Sequence, residues 1–358
     1  MRIASLLAIA LVAGCGAAGP EIDSDTDELS DATVSMEMVR ANPALARGIT
    51  PPEGRRVPGR PAPLRESGPG AFRSPLHGEG SFLYTANQLG QFLKLPDPAV
   101  HRDDRNGASY SRQPGDLYAD DGALRWTDVA QGSLSDCYFA AALSAVLQAG
   151  ARGSQLIAPR VVSGKVVSWY VTFFQASSRK VRIEVDPDLL HRSAGKVLYM
   201  RSADTKAGYE EWAPSLIEKA YARWHGSYNS IGNGGYASDA LFALIGKRTR
   251  SYDPASTNTA SAIESAGKAG RAQVACTYGE HDGVKYEGTD IYADHCYTLR
   301  GVKRSGGKTY VQLRNPWGPS PAGDPEPTEP PGDGHPDGLF DLELSRFQKL
   351  YASVDIVP

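Results

Sequence analysis

The chain lacks several features that would have decided its class at once. No apolar run in its 358 residues reaches the roughly 18 that a membrane-spanning helix needs. There is no excess of positive charge: 38 Lys and Arg stand against 41 Asp and Glu, a formal charge of −3. That balance leaves no electrostatic footprint for nucleic acid. Cysteine is scarce, with only Cys15, Cys137, Cys276 and Cys296. None of the four stands in a CxxC or Cys/His ligand spacing, which argues against a zinc site. No internal repeat is visible. What is present, 41% hydrophobic and 22% charged residues, suits a soluble globular protein of one large domain or two lobes, long enough for an ample core.

The N-terminus reads as a targeting segment. Arg2 supplies a short positive region and IASLLAIALVA a brief apolar one, and LVAGC ends at Cys15. A small-residue site ending in cysteine resembles the bacterial lipobox, which implies residues 1–15 as a lipoprotein signal peptide and lipidation of Cys15. An ordinary secretory signal cut near Ala17 or Ala18 is the other reading. Gly16, rather than an acidic residue, follows the cysteine, so retention at the inner membrane is not indicated. Either reading exports the chain, tethered to the cell envelope (the outer membrane under the lipobox reading) or secreted. Residues 16–80, first acidic (EIDSDTDELSD) and then rich in Pro, Gly and Arg, bury too little apolar surface to offset chain entropy and are expected to form a disordered spacer.

Ordered sequence is expected from Ser81. FLYTANQLGQFLKL has the pattern of a short amphipathic helix. Asp136 is placed to cap a helix from Cys137 to about Gln148, with Gly150 as its stop. KVVSWYVTFFQ and KVRIEVD alternate like strands. YEEWAPSLIEKAYARWHG is helical in spacing, with Pro214 tolerable in its first turn. After the break GNGG at residues 232–235 come the helices YASDALFALIG and TASAIESAGKA, then the strands AQVACTY, HCYTLRGV and TYVQLRN. GLFDLELSRFQKLYASVDIV closes as a helix flanked by strands. The expected class is therefore α+β, with a first lobe over 81–234 carrying Cys137 and a strand-rich second lobe over 235–358 carrying His295 and Asn315.

The position of Cys137 points to chemistry. A thiol at a helix N-terminus sees the positive end of the dipole, which favours thiolate. It then needs a base, and the base an orienting group. His295 in DHCYTLRGV and Asn315 in LRNPWG lie on successive strands that a hairpin can set side by side, with Trp317 to cover the bond between them. Nucleophile and base would meet across an interlobe cleft, a usual place for an active site. A packed core cysteine, a structural histidine and a plain NPWG turn are the bland readings of the same residues taken singly.

Several spaced blocks together resemble the calpain-type cysteine proteases, which are papain-like in fold. QGSLSDCYFAAALSA is similar to the family's Q-G-x-L-G-D-C-W block, and WAPSLIEKAYARWHGSYNSI to its W-x-x-L-L-E-K-A-Y-A-K segment. DHCYTLRGV and LRNPWG resemble G-H-A-Y-S-V-x-G and R-N-P-W-G, and DGLFDLELSRFQKLY resembles the closing D-G-E-F-W-M-S-F-x-D-F. The resemblance covers about residues 115–358. It implies Cys137 as nucleophile, His295 as general base and later acid, and Asn315 as orienter. Gln131, with the backbone N–H of Cys137, would bind the oxyanion. Gly234, Gly235, Asp294 and Trp317 would border the substrate cleft. Peptide-bond hydrolysis is the implied reaction; a catalytically silent binding protein and a transglutaminase-type acyltransferase are the competing readings.

Ser135, Tyr138 and Asp294 depart from the family's Gly, Trp and Gly at those positions. Calcium is the weaker part of the resemblance. Asp128 and Glu210 fall on the carboxylate positions of the first calcium site, with loop carbonyls near Asp121 and Ala123. At the second, Asp337 is kept but Pro321 and Leu339 occupy acidic positions. The expectation is that no cofactor is required, with room for calcium at the first site. A disulfide between Cys276 and Cys296 is conceivable in an exported chain, although packed thiols are the commoner outcome. Alternation along the strand turns Cys296 away from His295 and so out of the catalytic site. The expected partners are protein or peptide substrates, with no nucleic acid, a membrane only through the lipid anchor, and a monomeric chain.

Overall fold

The computed structural model describes residues 92–118, 122–176, 178–192, 197–203, 210–318 and 338–358. Cys15, the tether, most of the helix expected over FLYTANQLGQFLKL, Asp121, Pro321 and Asp337 lie outside them. The last four residues of that segment, 92–95, are irregular rather than helical, and Phe92 packs its ring 5.2 Å from Trp169. Among the described residues no helix is long and apolar enough to cross a membrane.

The first lobe is built around α1 (Cys137–Gln148). Its Ala and Leu content favours helix, and every residue from Cys137 to Leu147 is buried, as expected for a helix that is apolar all round. Gly150, at φ 92°, turns the chain out of it. Beside α1 lies a three-stranded antiparallel sheet, β1 (Ile157–Val162), β2 (Lys165–Phe174) and β3 (Lys180–Val185). β1 was not legible in the sequence: Pro159 interrupts it and most of its residues are partly or fully exposed, both features of an edge strand. α2 (Ala213–Trp224) is also buried along its whole length. Rings lock the layers, with Phe139 stacked 4.0 Å from Tyr221 and Phe173 5.1 Å from Trp224. α3 (Ala237–Ile245) packs along α1, and its Ala240, Leu241 and Leu244 join the same core. The first core therefore extends past the break at Gly234 and Gly235, to Gly246, whose φ of 76° ends α3.

The second lobe contains β4 (Arg250–Tyr252), α4 (Thr259–Lys268), β5 (Gln273–Thr277), β6 (Cys296–Ser305), β7 (Lys308–Arg314), β8 (Leu339–Glu343), α5 (Leu344–Leu350) and β9 (Tyr351–Ile356). Its six strands form one antiparallel sheet in the order β4-β9-β5-β6-β7-β8. Alternation sorts the side chains. Ala275, Tyr297, Leu299, Val354 and Ile356 enter the second core. The opposite face, with Val274, Cys296 and Thr298, is turned to the first lobe, where the Thr298 hydroxyl donates to Ala141 O at 2.9 Å.

Further bonds tie the lobes directly. Gln131 N–H donates to Pro316 O at 2.8 Å, and the Arg314 guanidinium donates to Thr127 O and Val129 O at 3.0 and 2.9 Å. Arg314 is fully buried, so these charge-assisted bonds also satisfy a group that is expensive to leave unpaired.

Candidate active site

Cys137 opens α1 at the floor of a cleft of about 780 Å³ between the lobes. Its thiol donates to the carbonyl of Asp294 at 3.8 Å. Burial pushes its pKa up to about 12, against a partial opposing pull from the backbone of Cys296. Loss of water around the sulfur thus works against the thiolate that a helix N-terminus favours, and the Asp136 and Asp294 charges add to the rise.

Asp136 corrects a second expectation. It occupies the N-cap position of α1 but makes no side-chain cap. Its carboxyl turns inward beside Glu218 of α2, both residues being almost wholly inaccessible. Burial raises Asp136 to about 7, and burial with the Asp136 charge raises Glu218 well above the usual range. Burial therefore works against ionisation of both carboxyls.

On the facing wall, His295 Nε2 meets Asn315 Oδ1 at 2.9 Å. Trp317 N–H donates to the same oxygen at 3.2 Å, so the amide orientation is fixed by two donors. Because that oxygen only accepts, Nε2 carries the ring proton and Nδ1 keeps its lone pair. Burial lowers the His295 pKa to about 4, with the Asn315 bond pulling the other way. The ring lies between Trp317 and Tyr297, at 4.9 and 4.8 Å. Thr277, not singled out from the sequence, accepts from His295 N–H at 3.0 Å and donates to Tyr292 O at 2.8 Å. Its only sequence signal was a polar residue ending an apolar strand.

Gln131 is buried on the cleft wall and donates its side-chain amide to Leu134 O at 2.7 Å. That leaves the second hydrogen of Nε2 and aims the amide plane. Gly132 must be glycine, because a Cβ would lie 2.1 Å from Tyr199 O. Gly235 must be too, since its Cβ would fall 2.6 Å from the Tyr138 ring, the aromatic wall beside Cys137. Gly234, Gly235 and Asp294 line the cleft with Cys137 and His295; Trp317 stands behind His295 instead. Asp294 has φ 50°, a left-handed conformation that costs glycine least. Aspartate is held there because its backbone N–H donates to Tyr278 O and its carboxylate accepts from Glu280 N–H, both at 3.0 Å.

Cys276 and Cys296 stand opposite each other on β5 and β6 and form a disulfide, with Cα atoms 4.0 Å apart. The expectation of packed thiols was incorrect. Alternation does turn Cys296 from His295, but toward the first lobe, and both half-cystines line the cleft. Asp128 and Glu210 each have a partner within the protein. Asp128 accepts from Arg125 N–H at 2.6 Å, and Glu210 Oε1 lies 2.6 Å from His191 Nε2. Among the described residues no group of three or more His, Cys, Asp or Glu is arranged to hold a metal.

A helical lobe opening on a cysteine, faced by an antiparallel sheet bearing histidine and asparagine, is the α+β architecture of papain-like cysteine proteases. The profile of the calpain family of cysteine proteases matches residues 106–322, more than half of the sequence, and the chain belongs to that family. It is 31% identical over 208 residues to a calpain-type cysteine protease of Oryza sativa subsp. japonica, covering 55% of this chain and 9% of that protein. It is 30% identical over 217 residues to the calpain-1 catalytic subunit of Mus musculus, covering 55% and 28%. Calpain-B of Drosophila melanogaster is 29% identical over 246 residues, covering 64% and 25%. The matched part thus spans less than a third of these relatives' length.

Proposed function

We propose that this protein is a cysteine endopeptidase that hydrolyses peptide bonds in proteins through a thioester acyl-enzyme. One observation carries the reading: Cys137 and His295 line a single cleft, with His295 Nε2 2.9 Å from Asn315 Oδ1. At neutral pH burial favours an uncharged thiol and an uncharged imidazole. The proton therefore moves as the bond forms. His295 Nδ1 takes it while Sγ attacks the substrate carbonyl carbon. The oxyanion is met by the Gln131 amide and by the Cys137 backbone N–H, which as the first helical residue has no partner within the helix. Collapse breaks the C–N bond, His295 protonates the leaving amine, and a thioester remains. Water then attacks the thioester, giving its proton to His295 and releasing the carboxylic acid and the thiol.

Hydrolysis in this reading does not need calcium. Asp128 and Glu210 are committed to Arg125 and His191, and the bonds from Gln131 and Arg314 already join the two walls. The test is digestion of unfolded casein by the mature protein, with and without calcium, in excess chelator, with Cys137→Ala as control. Cleavage in chelator is expected. Cleavage by the Cys137→Ala protein would remove the nucleophile assignment, and strict dependence on added calcium would remove the metal-free one.

Export with lipidation at Cys15 belongs to the same proposal. A disulfide persists in an oxidising compartment, which supports it. Cys15→Ser should move the protein from the membrane to the soluble fraction, and unchanged membrane partition would contradict the anchor.

A further inference from the structure

His295 stands just past the end of its own strand ladder. β5 and β6 pair Val274 with Thr298, Ala275 with Tyr297 and Cys276 with Cys296, and the register stops there, at the residue next to His295. On the other side of β6, pairing with β7 begins only at Thr298, opposite Arg314. On the other side of β5, the register with β9 shifts between Cys276 and Thr277. The backbone of His295 takes its support from the end of β5, where Thr277 N–H donates to His295 O at 2.9 Å and the Thr277 hydroxyl accepts from His295 N–H at 3.0 Å. The Cys276–Cys296 bridge closes the last rung before this pair. A covalent link at that rung fixes the two strands to each other where the hydrogen-bonded ladders stop doing so.

The bridge is also open to solutes. Both half-cystines line the cleft with Cys137 and His295, and Cys276 is partly exposed while Cys296 is buried. A thiolate that enters the cleft meets the Cys276 sulfur first.

We propose that the bridge is a redox-controlled positioning device for His295: closed, it holds the imidazole against Asn315 across the cleft from Cys137, and opened by a dithiol it slows turnover while the fold persists. This rests on the endopeptidase reading above. One thiolate of the dithiol attacks Cys276 Sγ, the S–S bond breaks, and Cys296 Sγ leaves with the electron pair and takes a proton. The second thiol of the reductant then displaces Cys276 Sγ, which takes the second proton. The reductant ends as a disulfide, and two electrons and two protons have passed to the protein. This control has the opposite sign to that of a nucleophilic thiol, which a reductant protects. The protease is then slow in a reducing compartment and reaches its full rate only where disulfides persist.

The experiment compares the mature protein with the bridge closed and with it opened by dithiothreitol, on casein and on a quenched-fluorescence peptide. Alkylation and mass spectrometry read the state of Cys137, Cys276 and Cys296 in each sample. The expected result is a kcat about tenfold lower with the bridge open, KM changed by less than about twofold and circular dichroism unchanged, since displacing a reacting group costs rate rather than binding. Removing the dithiol in air should restore the rate. A double variant, Cys276→Ser with Cys296→Ser, should show the low kcat and no response to dithiothreitol. Equal kcat for the closed and opened forms would overturn the inference, as would a double variant that turns over like the closed wild type. Loss of the circular dichroism signal along with activity would overturn it too, by making the bridge a staple of the fold only. Should the double variant fail to fold, the wild type in its two states decides. Equal cleavage by both forms overturns this inference alone, whereas no cleavage of casein or peptide by either form, with Cys137 a free thiol, overturns both readings.

Discussion

The two walls of the cleft hold their reactive groups by opposite means. The wall that carries Cys137 is one continuous helix, buried from its first residue, and the charge beneath it is managed by pairing Asp136 with Glu218. The wall that carries His295 is assembled from pieces far apart in sequence, with Thr277, Tyr292, Asn315 and Trp317 each fixing one side of the ring or its backbone. Position on the first wall comes from burial of a rigid element. On the second it comes from cross-strand ties. The first should therefore answer to buried charge, and the second to loss of individual links.

The largest effect removes the chemistry from either wall. Cys137→Ala and His295→Ala should each lower kcat/KM by more than about 10⁴-fold with circular dichroism unchanged, since residues of a catalytic unit fail together. Asn315→Ala should leave measurable activity, because it orients and does not react; a loss as complete as that of His295→Ala would give it a larger part. Where the walls meet, Gln131→Ala should reduce kcat by about 10²–10³-fold, the range for one lost oxyanion donor. Single-turnover kinetics would show a twofold effect instead if the amide only braces Leu134.

Breaking the second wall alone should cost stability. The Cys276–Cys296 bridge closes 20 residues, a loop worth about 3 kcal/mol of chain entropy in the unfolded state. Replacing both cysteines by serine should lower Tm by about 6–12 °C in calorimetry. An unchanged Tm would mean that the strand pairing needs no staple.

The last effect belongs to the first wall and shows only as a dependence on pH. Asp136 has a folded pKa raised from 3.8 to about 7, so its contribution is intact below pH 4 and is lost as pH rises toward 7. Asn cannot ionise and escapes that loss. Asp136→Asn should therefore raise Tm at pH 8 relative to its effect at pH 4, measured by calorimetry at the two pH values. A gain that is the same at both pH values would mean that the proton is not held there.

Legibility followed the same divide. The helix from Cys137 to about Gln148 was readable because its composition and its glycine stop are local. The longer strands were readable by alternation, and the His295–Asn315 pair by two strands joined through a short turn. β1 was not, because Pro159 and its exposed side chains carry no strand signal. Thr277 was not, because its bond to His295 joins residues 18 apart. The Cys276–Cys296 bridge was seen only as conceivable, since alternation along β6 says which way Cys296 points and nothing about what stands opposite.

By itself the sequence determined which residues can react and in what order they occur: a cysteine opening an apolar helix, then a histidine and an asparagine on strands. Side-chain chemistry and backbone periodicity are properties of a few neighbouring residues, and they survive in any fold that keeps the elements intact. Only the tertiary structure decided that burial acts against ionisation of Cys137, and that Asp136 faces Glu218 instead of capping its helix. It alone set the disulfide on the face that lines the cleft. Each of these depends on which surface comes to lie against which, and desolvation acts through that contact whatever the distance along the chain.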